Sequence, residues 1–400
     1  MNMESVPVVH GTWQAPFAPL VQEFRRNFSE RGEVGASLCV MRDGETLVDV
    51  WGGMADPAKG AAWDRDTVGI VFSNTKPATA VCLHLLVDRG HVRLDDKVSR
   101  YWPEYAAGGK QDTTLRMLLD HSAGLPALRE TLPDGAAFDW PEMTTRLSAE
   151  APFWQPGTRT GYHGLTFGWL VGEIVRRVTG QSLGTFFQSE IAGPRSLDFW
   201  IGLPEEIEPR IAPVIPYRPE PGHVANAFER AILEEPDSIS ALYFRNTGGW
   251  RPSGFNSRRG RASEIPAANG VTNARGLAGF YAALSCGGQV DGVPRLLSPA
   301  VLADAIQVSG GMEDDITLRV PTRFGAGFMR SMDNRAKGLD SAVLGPNAFG
   351  HVGAGGSLGF ADPSRGVSFG YTMNKMGAGV LLNPRGQRLV DCLDQILPLR

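Results

Sequence analysis

The sequence is poor in cysteine. It holds four cysteines in 400 residues, and no two of them form a Cys-x-x-Cys pair. Such a sparse and scattered set predicts neither a disulfide framework nor a zinc-binding cysteine cluster. We therefore expect reduced thiols in apolar or small-residue surroundings at Cys39, Cys82, Cys286 and Cys392.

Long apolar runs and a basic N-terminal segment are also missing. No run approaches the roughly 18 apolar residues of a membrane-spanning helix. The first residues lack the basic start and apolar core of a secretory signal. The formal net charge is -4, so no basic excess points to nucleic acid or to a membrane surface. The sequence predicts a cytoplasmic protein that binds neither nucleic acid nor a membrane.

Histidine is scarce, with seven residues, and shows no metal-binding spacing. No His-Glu-x-x-His segment occurs, and His84 and His91 lack the spacing of zinc ligands. We expect no metal and no cofactor.

Lysine is scarce as well, and its scarcity singles out one segment. Only Lys76 has a serine, Ser73, three positions before it. The apolar stretch 78–89 predicts a buried helix that ends at Gly90. Residues i and i+3 share a helix face, so Ser73 Oγ and Lys76 Nζ can meet. A desolvated lysine can activate a serine; the structural alternative is an N-cap serine beside a solvated lysine.

Two Gly-x-Ser-x-Gly segments, around Ser357 and Ser368, offer competing nucleophiles. In the nucleophile elbow of an α/β-hydrolase, this motif joins a strand to a helix, and the catalytic histidine follows the serine in the chain. Neither segment precedes a helix, and the last histidine, His351, comes before both serines. We therefore interpret both segments as glycine-rich turn sequences.

A serine–lysine pair also needs a proton donor for the leaving group. Tyr162 follows a Pro-Gly turn and stands just before a helix predicted over 164–179. A lysine ammonium nearby would lower the pKa of the phenol, which could then exchange protons with Ser73 and a departing alcohol. Taken alone, a tyrosine in this position is more often an ordinary half-buried aromatic residue.

The order of the predicted elements favours an α+β fold. Strand-like runs lie at 34–52, which is a hairpin around Asp43-Gly44, and at 348–361 and 366–374. Further helices are predicted at 111–122, 273–286 and 387–396, with long excursions around short helices at 204–268. We expect a mainly antiparallel sheet made from both chain ends and covered by helices, with a large, mostly helical insert.

Five segments, in order, resemble motifs of the serine β-lactamase-like hydrolases, specifically the branch of class C β-lactamases and family VIII carboxylesterases. They are Ser73-Asn74-Thr75-Lys76, 94–104, 118–125, 156–162 and 349–356. The resemblance implies a β-lactamase/transpeptidase-like fold. It also implies a sheet region at 1–92 and 265–400, a mostly helical region at 93–264, and an active site between the two.

The resemblance implies residue roles as well. Ser73 would be the acylated nucleophile, Lys76 its proton-accepting or field-setting partner, and Tyr162 the second base and acid. The backbone N–H groups of Ser73 and Ala354 would form the oxyanion hole. His121, within the segment 118–125, would be a buried, hydrogen-bonded residue rather than a base.

Two departures from the β-lactamase motifs favour an esterase. The tyrosine motif ends in Gly164 where β-lactamases have asparagine, and the third motif is His351-Val352-Gly353 instead of Lys-Thr-Gly. This third motif would lie on a strand that lines the substrate site. Losing a charge-assisted contact costs about 1.5–3 kcal/mol. That penalty falls on carboxylate-bearing substrates and spares neutral esters.

The sequence therefore predicts a carboxylesterase that cleaves short-chain esters, which are small-molecule substrates, through an acyl-enzyme on Ser73. A β-lactamase or an acyltransferase that uses the same residues is the alternative. A third hypothesis is a sensor that is acylated once, or a binding protein without turnover.

Overall fold

The computed structural model describes residues 7–285 and 296–398. Its helices are α1 (Ala18–Glu30), α2 (Thr75–Asp88), α3 (Leu115–Leu119), α4 (Trp140–Ala149), α5 (Thr166–Thr179), α6 (Leu183–Phe187), α7 (Ala227–Glu234), α8 (Ile239–Arg245), α9 (Pro252–Phe255), α10 (Arg258–Ala262), α11 (Ala274–Ser285), α12 (Pro299–Ile306) and α13 (Pro384–Ile396). Its strands are β1 (Val9–Trp13), β2 (Gly35–Arg42), β3 (Glu45–Asp56), β4 (Ala61–Ala62), β5 (Gly69–Ile70), β6 (Phe199–Trp200), β7 (Val271–Thr272), β8 (Gly310–Met312), β9 (Thr322–Phe324), β10 (Met329–Arg330), β11 (Phe349–Val352), β12 (Leu358–Asp362) and β13 (Val367–Met373).

The main sheet is antiparallel, and its centre is built from both ends of the chain. Within the described residues it has ten strands in the order β1-β3-β2-β13-β12-β11-β10-β9-β8, with β4 attached to β3. The C-terminal strand β13 pairs with the N-terminal strand β2, so that Met373 lies opposite Ala36 and Val367 opposite Arg42. The predicted α+β fold with a sheet from both chain ends is confirmed.

The hairpin of β2 and β3 turns at Asp43 and Gly44, as predicted. Both residues have positive φ angles, 50° and 85°. A two-residue loop of this kind matches the twist of the strands that it joins. The Asp-Gly pair therefore fixes the register of the N-terminal half of the sheet.

Helices cover both faces of the sheet, and the alternation along β2 shows which face is which. Leu38 shares an apolar cluster with Phe24 of α1 and Leu389 of α13. The next residue, Cys39, points to the other face and packs with Ala278 of α11. The sheet is thus the middle layer of three.

Helix α11 lies very close to the sheet, and a glycine makes this approach possible. A Cβ at Gly370 in β13 would lie 2.3 Å from the Ala274 carbonyl oxygen and 2.8 Å from the Ala278 nitrogen. Gly370 is the last residue of one Gly-x-Ser-x-Gly segment. A glycine at the end of this segment is therefore required for α11 to pack against β13.

Two predicted helices differ in extent from those in the structure. The helix predicted over 111–122 shrinks to α3, which begins after the capping side chain of Thr114. It ends early because His121 takes a left-handed conformation with a φ of 66°. The last helix starts earlier than residue 387, at Pro384, because the Asn383 side chain accepts hydrogen bonds from the first N–H groups of α13.

Three of the four cysteines, Cys39, Cys82 and Cys392, are free thiols. Cys286, the end of the helix predicted over 273–286, lies outside the described residues. No helix within residues 7–285 and 296–398 is long and apolar enough to span a bilayer. Helices α3 to α10 and the short strand β6 fall within 93–264, and the division of the chain into two regions stays a prediction.

Candidate active site

Ser73 lies in a tight turn between β5 and α2. Phe72 has a φ of 47°, which is uncommon for a residue with a side chain. Hydrogen bonds close the turn: the Asn74 N–H donates to the Val71 carbonyl over 3.2 Å, and the Thr75 N–H donates to the Phe72 carbonyl over 2.9 Å. The turn leaves Ser73 half-buried at the start of α2, while its neighbours on both sides are buried.

Lys76 is fully buried in the first turn of α2. Its Nζ lies 3.2 Å from Ser73 Oγ, 2.6 Å from the Gly164 carbonyl oxygen and 3.1 Å from the Ala267 carbonyl oxygen. Burial alone lowers the pKa of the Lys76 amine well below its usual range. The neutral amine is therefore accessible at a lower pH than for a solvated lysine.

Tyr162 completes a cluster of three side chains. Its hydroxyl donates a hydrogen bond to Ser73 Oγ over 2.7 Å, and the Lys76 Nζ lies 4.6 Å from the centre of its ring. Burial, more than the nearby Tyr243, raises the pKa of the Tyr162 phenol well above 10.0. The expected lowering of this pKa by Lys76 is therefore wrong. Desolvation disfavours the phenolate, and burial also disfavours the ammonium form of Lys76 that was to stabilise it.

A buried carboxylate fixes the backbone of Tyr162. Both oxygens of Asp315 lie 3.1 Å from the Tyr162 nitrogen. Asp315 also accepts hydrogen bonds from the N–H groups of Thr317 and Leu318 and from the hydroxyl of Thr322. The sequence analysis missed Asp315, because only the folded chain brings it beside Tyr162.

Two buried histidines support the same tyrosine. The ring of His121 lies 5.0 Å from that of Tyr162, and its Nδ1 accepts a hydrogen bond from the His163 N–H. The pKa of His121 is held well below 6.5, chiefly by burial. Burial also lowers the pKa of His163 to about 3. Both imidazoles are therefore neutral packing groups, as expected for His121.

The third motif lies on β11, beside the tyrosine. His351 is 1% exposed, and its ring lies 6.0 Å from that of Tyr162. Its Nδ1 donates to the Val352 carbonyl, while its buried Nε2 has no hydrogen-bond partner among the described residues. Burial lowers its pKa to about 3. Val352 packs in the same apolar cluster as Tyr162, so the motif presents a neutral imidazole and no cation.

Ser357 joins the third motif to the turn that carries Ser73. Its hydroxyl donates to the Val71 carbonyl over 2.9 Å and accepts a hydrogen bond from Asn74 Nδ2 over 3.1 Å. The Gly353 N–H donates to the Ser357 carbonyl over 2.7 Å. Between them, Ala354 is exposed on the turn from β11 to β12. Its role in an oxyanion hole stays a prediction.

Tyr243 of α8 is a second residue that the sequence analysis missed. A Cβ at Gly164 would lie 1.9 Å from Tyr243 Cε2. The ring therefore occupies the space where β-lactamases of the resembling branch would carry an asparagine side chain. No sequence signal marked it, because it belongs to the weakly patterned segment 204–268.

No group of three or more histidine, cysteine, aspartate or glutamate side chains in the described part of the chain is arranged to hold a metal ion. The cluster of Ser73, Lys76 and Tyr162 offers a hydroxyl, an amine and a phenol within hydrogen-bonding distance. Such a set can perform nucleophilic and acid–base chemistry with protein groups alone.

Comparison with known proteins identifies the family. The family described as Beta-lactamase matches residues 21–391. The chain is 36% identical over 378 residues to "Esterase/beta-lactamase LipL" of Mycobacterium tuberculosis, covering 92% of this chain and 83% of the relative.

Solved structures agree with the sequence relatives. A family VIII carboxylesterase superposes with a TM-score of 0.86 at 35% identity, covering 98% of this chain and all of the other. A penicillin-binding protein homologue from Caulobacter crescentus gives a TM-score of 0.85 at 36% identity, with the same coverage. The chain is therefore a hydrolase that belongs to the beta-lactamase family and has its β-lactamase/transpeptidase-like fold.

Proposed function

We propose that the protein is a carboxylesterase that cleaves short-chain neutral esters through an acyl-enzyme on Ser73. One observation carries the proposal. Ser73 Oγ lies 3.2 Å from the desolvated amine of Lys76 and 2.7 Å from the hydroxyl of Tyr162. The names of the relatives, an esterase/beta-lactamase and a carboxylesterase, support the same reaction class.

The hydrogen bonds of Lys76 support its role as the base. A neutral amine has two N–H groups and one lone pair. The carbonyls of Gly164 and Ala267 can take the two N–H groups, which leaves the lone pair for the Ser73 hydroxyl. The deprotonated form is thus fully paired without rearrangement, and Ser73 gains a proton acceptor.

Acylation and deacylation follow from this arrangement. Ser73 Oγ bonds to the ester carbonyl carbon while its proton passes to the Lys76–Tyr162 pair. The pair returns a proton to the departing alkoxide as the ester C–O bond breaks. Water then attacks the acyl carbon and gives a proton to the pair. The bond between Ser73 Oγ and the acyl carbon breaks, and the pair returns the proton to Ser73 Oγ. The N–H groups of Ser73 and Ala354 would stabilise the oxyanion in both steps, by about 3–4 kcal/mol each.

The third motif supports a neutral substrate. Buried His351 carries no charge, and Val352 has no hydroxyl, so neither replaces the lysine and threonine that hold the carboxylate of a β-lactam. A substrate carboxylate would enter without a charged partner, which costs about 1.5–3 kcal/mol relative to a paired one. A neutral ester avoids this cost.

Substitution of the nucleophile tests the proposal. Ser73→Ala should lower kcat/KM for p-nitrophenyl butyrate by at least about 10³-fold, because the acyl-enzyme cannot form. The variant should still unfold in one cooperative transition, which shows that the fold is retained. A fluorophosphonate should add to the peptide that contains Ser73 and to no other. Full activity in Ser73→Ala, or labelling elsewhere, would show that the nucleophile is wrong.

A β-lactamase activity is the second candidate, because one relative is described as an esterase/beta-lactamase. A chromogenic cephalosporin measures this activity directly. We expect its kcat/KM to be well below that of p-nitrophenyl butyrate with the same enzyme. The opposite order would make β-lactam hydrolysis the main reaction. Product analysis with added alcohol separates hydrolysis from acyl transfer.

A further inference from the structure

The ring of Tyr243 stands between the candidate active site and a small apolar cavity. We propose that Tyr243 sets the upper limit of acyl-chain length by closing this cavity off from Ser73. The inference rests on the proposed esterase function and adds to it the group that determines substrate size.

One side of Tyr243 faces the catalytic cluster. A Cβ built on Gly164 would lie 1.9 Å from Cε2, 2.4 Å from Cζ and 2.7 Å from the hydroxyl of Tyr243. The same Gly164 accepts the hydrogen bond from Lys76. The Tyr243 ring also meets Tyr162 edge-on, with 6.3 Å between the ring centres and 88° between the planes. Tyr243 therefore forms a wall against two residues of the candidate site, Tyr162 and Gly164.

The other side of Tyr243 faces the cavity. This cavity has a volume of about 20 Å³, and its lining includes Leu128, Leu165, Trp169 and Leu242 together with Tyr243. Leu128 and Trp169 are 4% and 1% exposed. Most of the lining side chains are apolar, and in the wild type the space is too small for an alkyl chain.

Hydrogen bonds at both ends of α8 hold the helix that carries Tyr243 in place. Near the start of the helix, Ser240 Oγ donates to the Thr317 carbonyl over 2.8 Å. After its end, Asn246 Nδ2 donates to the Leu128 carbonyl, and its Oδ1 accepts from the Leu132 N–H. A substrate cannot shift α8 as a whole without breaking these contacts, so the fold fixes the position from which the Tyr243 side chain projects.

The chemistry of the reaction indicates which part of the substrate meets this wall. The acyl group stays bonded to Ser73 while the alcohol departs, so we assign the space behind Tyr243 to the acyl chain and not to the leaving group. Removing the Tyr243 ring would join the cavity to the site. Each methylene buried there should then gain about fourfold in kcat/KM.

A chain-length series tests the inference. We would measure kcat/KM for p-nitrophenyl acetate, butyrate, hexanoate and octanoate in four proteins: the wild type, Tyr243→Ala, Tyr243→Phe and Phe244→Ala. Phe244 is the matched control, because it lies on the same helix and is 57% exposed. The ratio of kcat/KM for octanoate to kcat/KM for butyrate should rise at least about tenfold in Tyr243→Ala. It should stay at the wild-type value in Tyr243→Phe and Phe244→Ala.

A second series of butyrate esters with longer alkoxy groups checks the assignment to the acyl side. The dependence of kcat/KM on the length of the alkoxy group should be the same in Tyr243→Ala as in the wild type. A shift in the alkoxy series instead of the acyl series would overturn the assignment. Should Tyr243→Ala fail to fold, Tyr243→Leu removes the ring with less loss of packing and gives the same readout.

A pair of substitutions tests the contact itself. Gly164→Ala should lose most ester hydrolysis in the wild-type background, because its Cβ overlaps the Tyr243 ring, and should regain activity when combined with Tyr243→Ala. If the wild type hydrolyses no ester, the proposed function fails. If it hydrolyses butyrate but Tyr243→Ala has the same chain-length profile, only the role of Tyr243 fails.

Discussion

At the scale of single residues, two buried lysines of this protein have different hydrogen-bond partners, and this difference decides which protonation state each one favours. Lys110 Nζ donates to three carbonyl oxygens, those of Ala107, Ser148 and Glu150. Lys76 Nζ donates to only two carbonyls, and its third neighbour is the hydroxyl of Ser73. Three carbonyls can only accept, so they require three N–H groups and favour the ammonium form. A hydroxyl can also donate, so Lys76 can be fully paired as the neutral base.

The lowered pKa of Lys76 makes folding stability depend on pH. The unfolded chain holds this proton up to about pH 10.4, whereas the folded chain releases it at a lower pH. Between the two pKa values the unfolded state binds more protons, so the free energy of unfolding rises with pH. Lys76→Met should make this rise smaller and leave the part that Lys110 contributes, as measured by urea unfolding from pH 7 to 9.5.

Lys110→Met is the matched control for that experiment. Burial lowers the pKa of Lys110 to about 8, so its substitution should remove only the part of the rise above about pH 8. Equal pH dependence in the wild type and in Lys76→Met would contradict a neutral Lys76 in the folded protein.

Residue spacing suggested Ser73, Lys76 and Tyr162 as candidates, and the resemblance of five ordered segments to a known family selected them; the structure places the three side chains together. The first two are a helical turn apart, and the third follows a recognisable Pro-Gly turn. Asp315 and Tyr243 could not be predicted, because each meets the site across a long stretch of chain. The pKa direction of Tyr162 also depends on burial, which no local pattern reveals.

At the scale of secondary structure elements, the site depends on a hydrogen-bonded link between two turns. Ser357, after the third motif, joins the turn before β12 to the turn before α2. The other Gly-x-Ser-x-Gly serine, Ser368, lies in β13 with a buried hydroxyl that has no partner within residues 7–285 and 296–398. Of the two serines in this sequence pattern, Ser357 therefore links two elements by hydrogen bonds, and Ser368 links none within the described residues.

The two serines should respond differently to substitution. Ser357→Ala leaves Val71 and Asn74 with weaker pairing, so it should lower the free energy of unfolding by about 1–3 kcal/mol and reduce esterase activity without abolishing it. Ser368→Ala should be neutral or slightly stabilising, because no hydrogen bond is lost. Chemical denaturation and butyrate hydrolysis measure both effects. Complete inactivation of either variant would revive the nucleophile-elbow hypothesis.

Element types were predicted better than element ends. The hairpin at Asp43-Gly44 and the buried helix after Ser73 follow from local patterns. The helix predicted over 111–122 is much shorter in the structure. The backbone of His121 has a positive φ angle, which is not helical, and its imidazole packs against the ring of Tyr162. That contact lies outside the helix's own sequence, so periodicity alone could not indicate where α3 ends.

At the scale of the whole molecule, a buried ion pair connects the two chain ends to the site. Glu33, after α1, lies 2.7 Å from Arg385 of α13 and accepts a hydrogen bond from Tyr371. Arg385 also donates to the carbonyls of Gly355 and Lys375. Since Gly355 belongs to the turn after the third motif, the packing of α13 reaches the active site.

Breaking this pair should therefore affect both stability and activity. Arg385→Met leaves Glu33 buried without its partner, so the free energy of unfolding should fall by about 3–5 kcal/mol. The activity of the folded fraction should fall as well. Lys337→Ala, which breaks the exposed pair with Glu313, should change stability by less than about 1 kcal/mol. Similar small losses in both variants, measured by urea unfolding, would show that the buried pair is dispensable.

The position of β13 has a consequence for synthesis of the protein. On the ribosome, β2 emerges long before the neighbour that fills the gap beside it, Val367–Met373, has been translated. Until then the nascent polypeptide exposes an unpaired edge in what becomes the middle of the sheet. The sheet that carries the third motif therefore cannot close before β13 has emerged and paired with β2, and that interval is when a chaperone would be of most use.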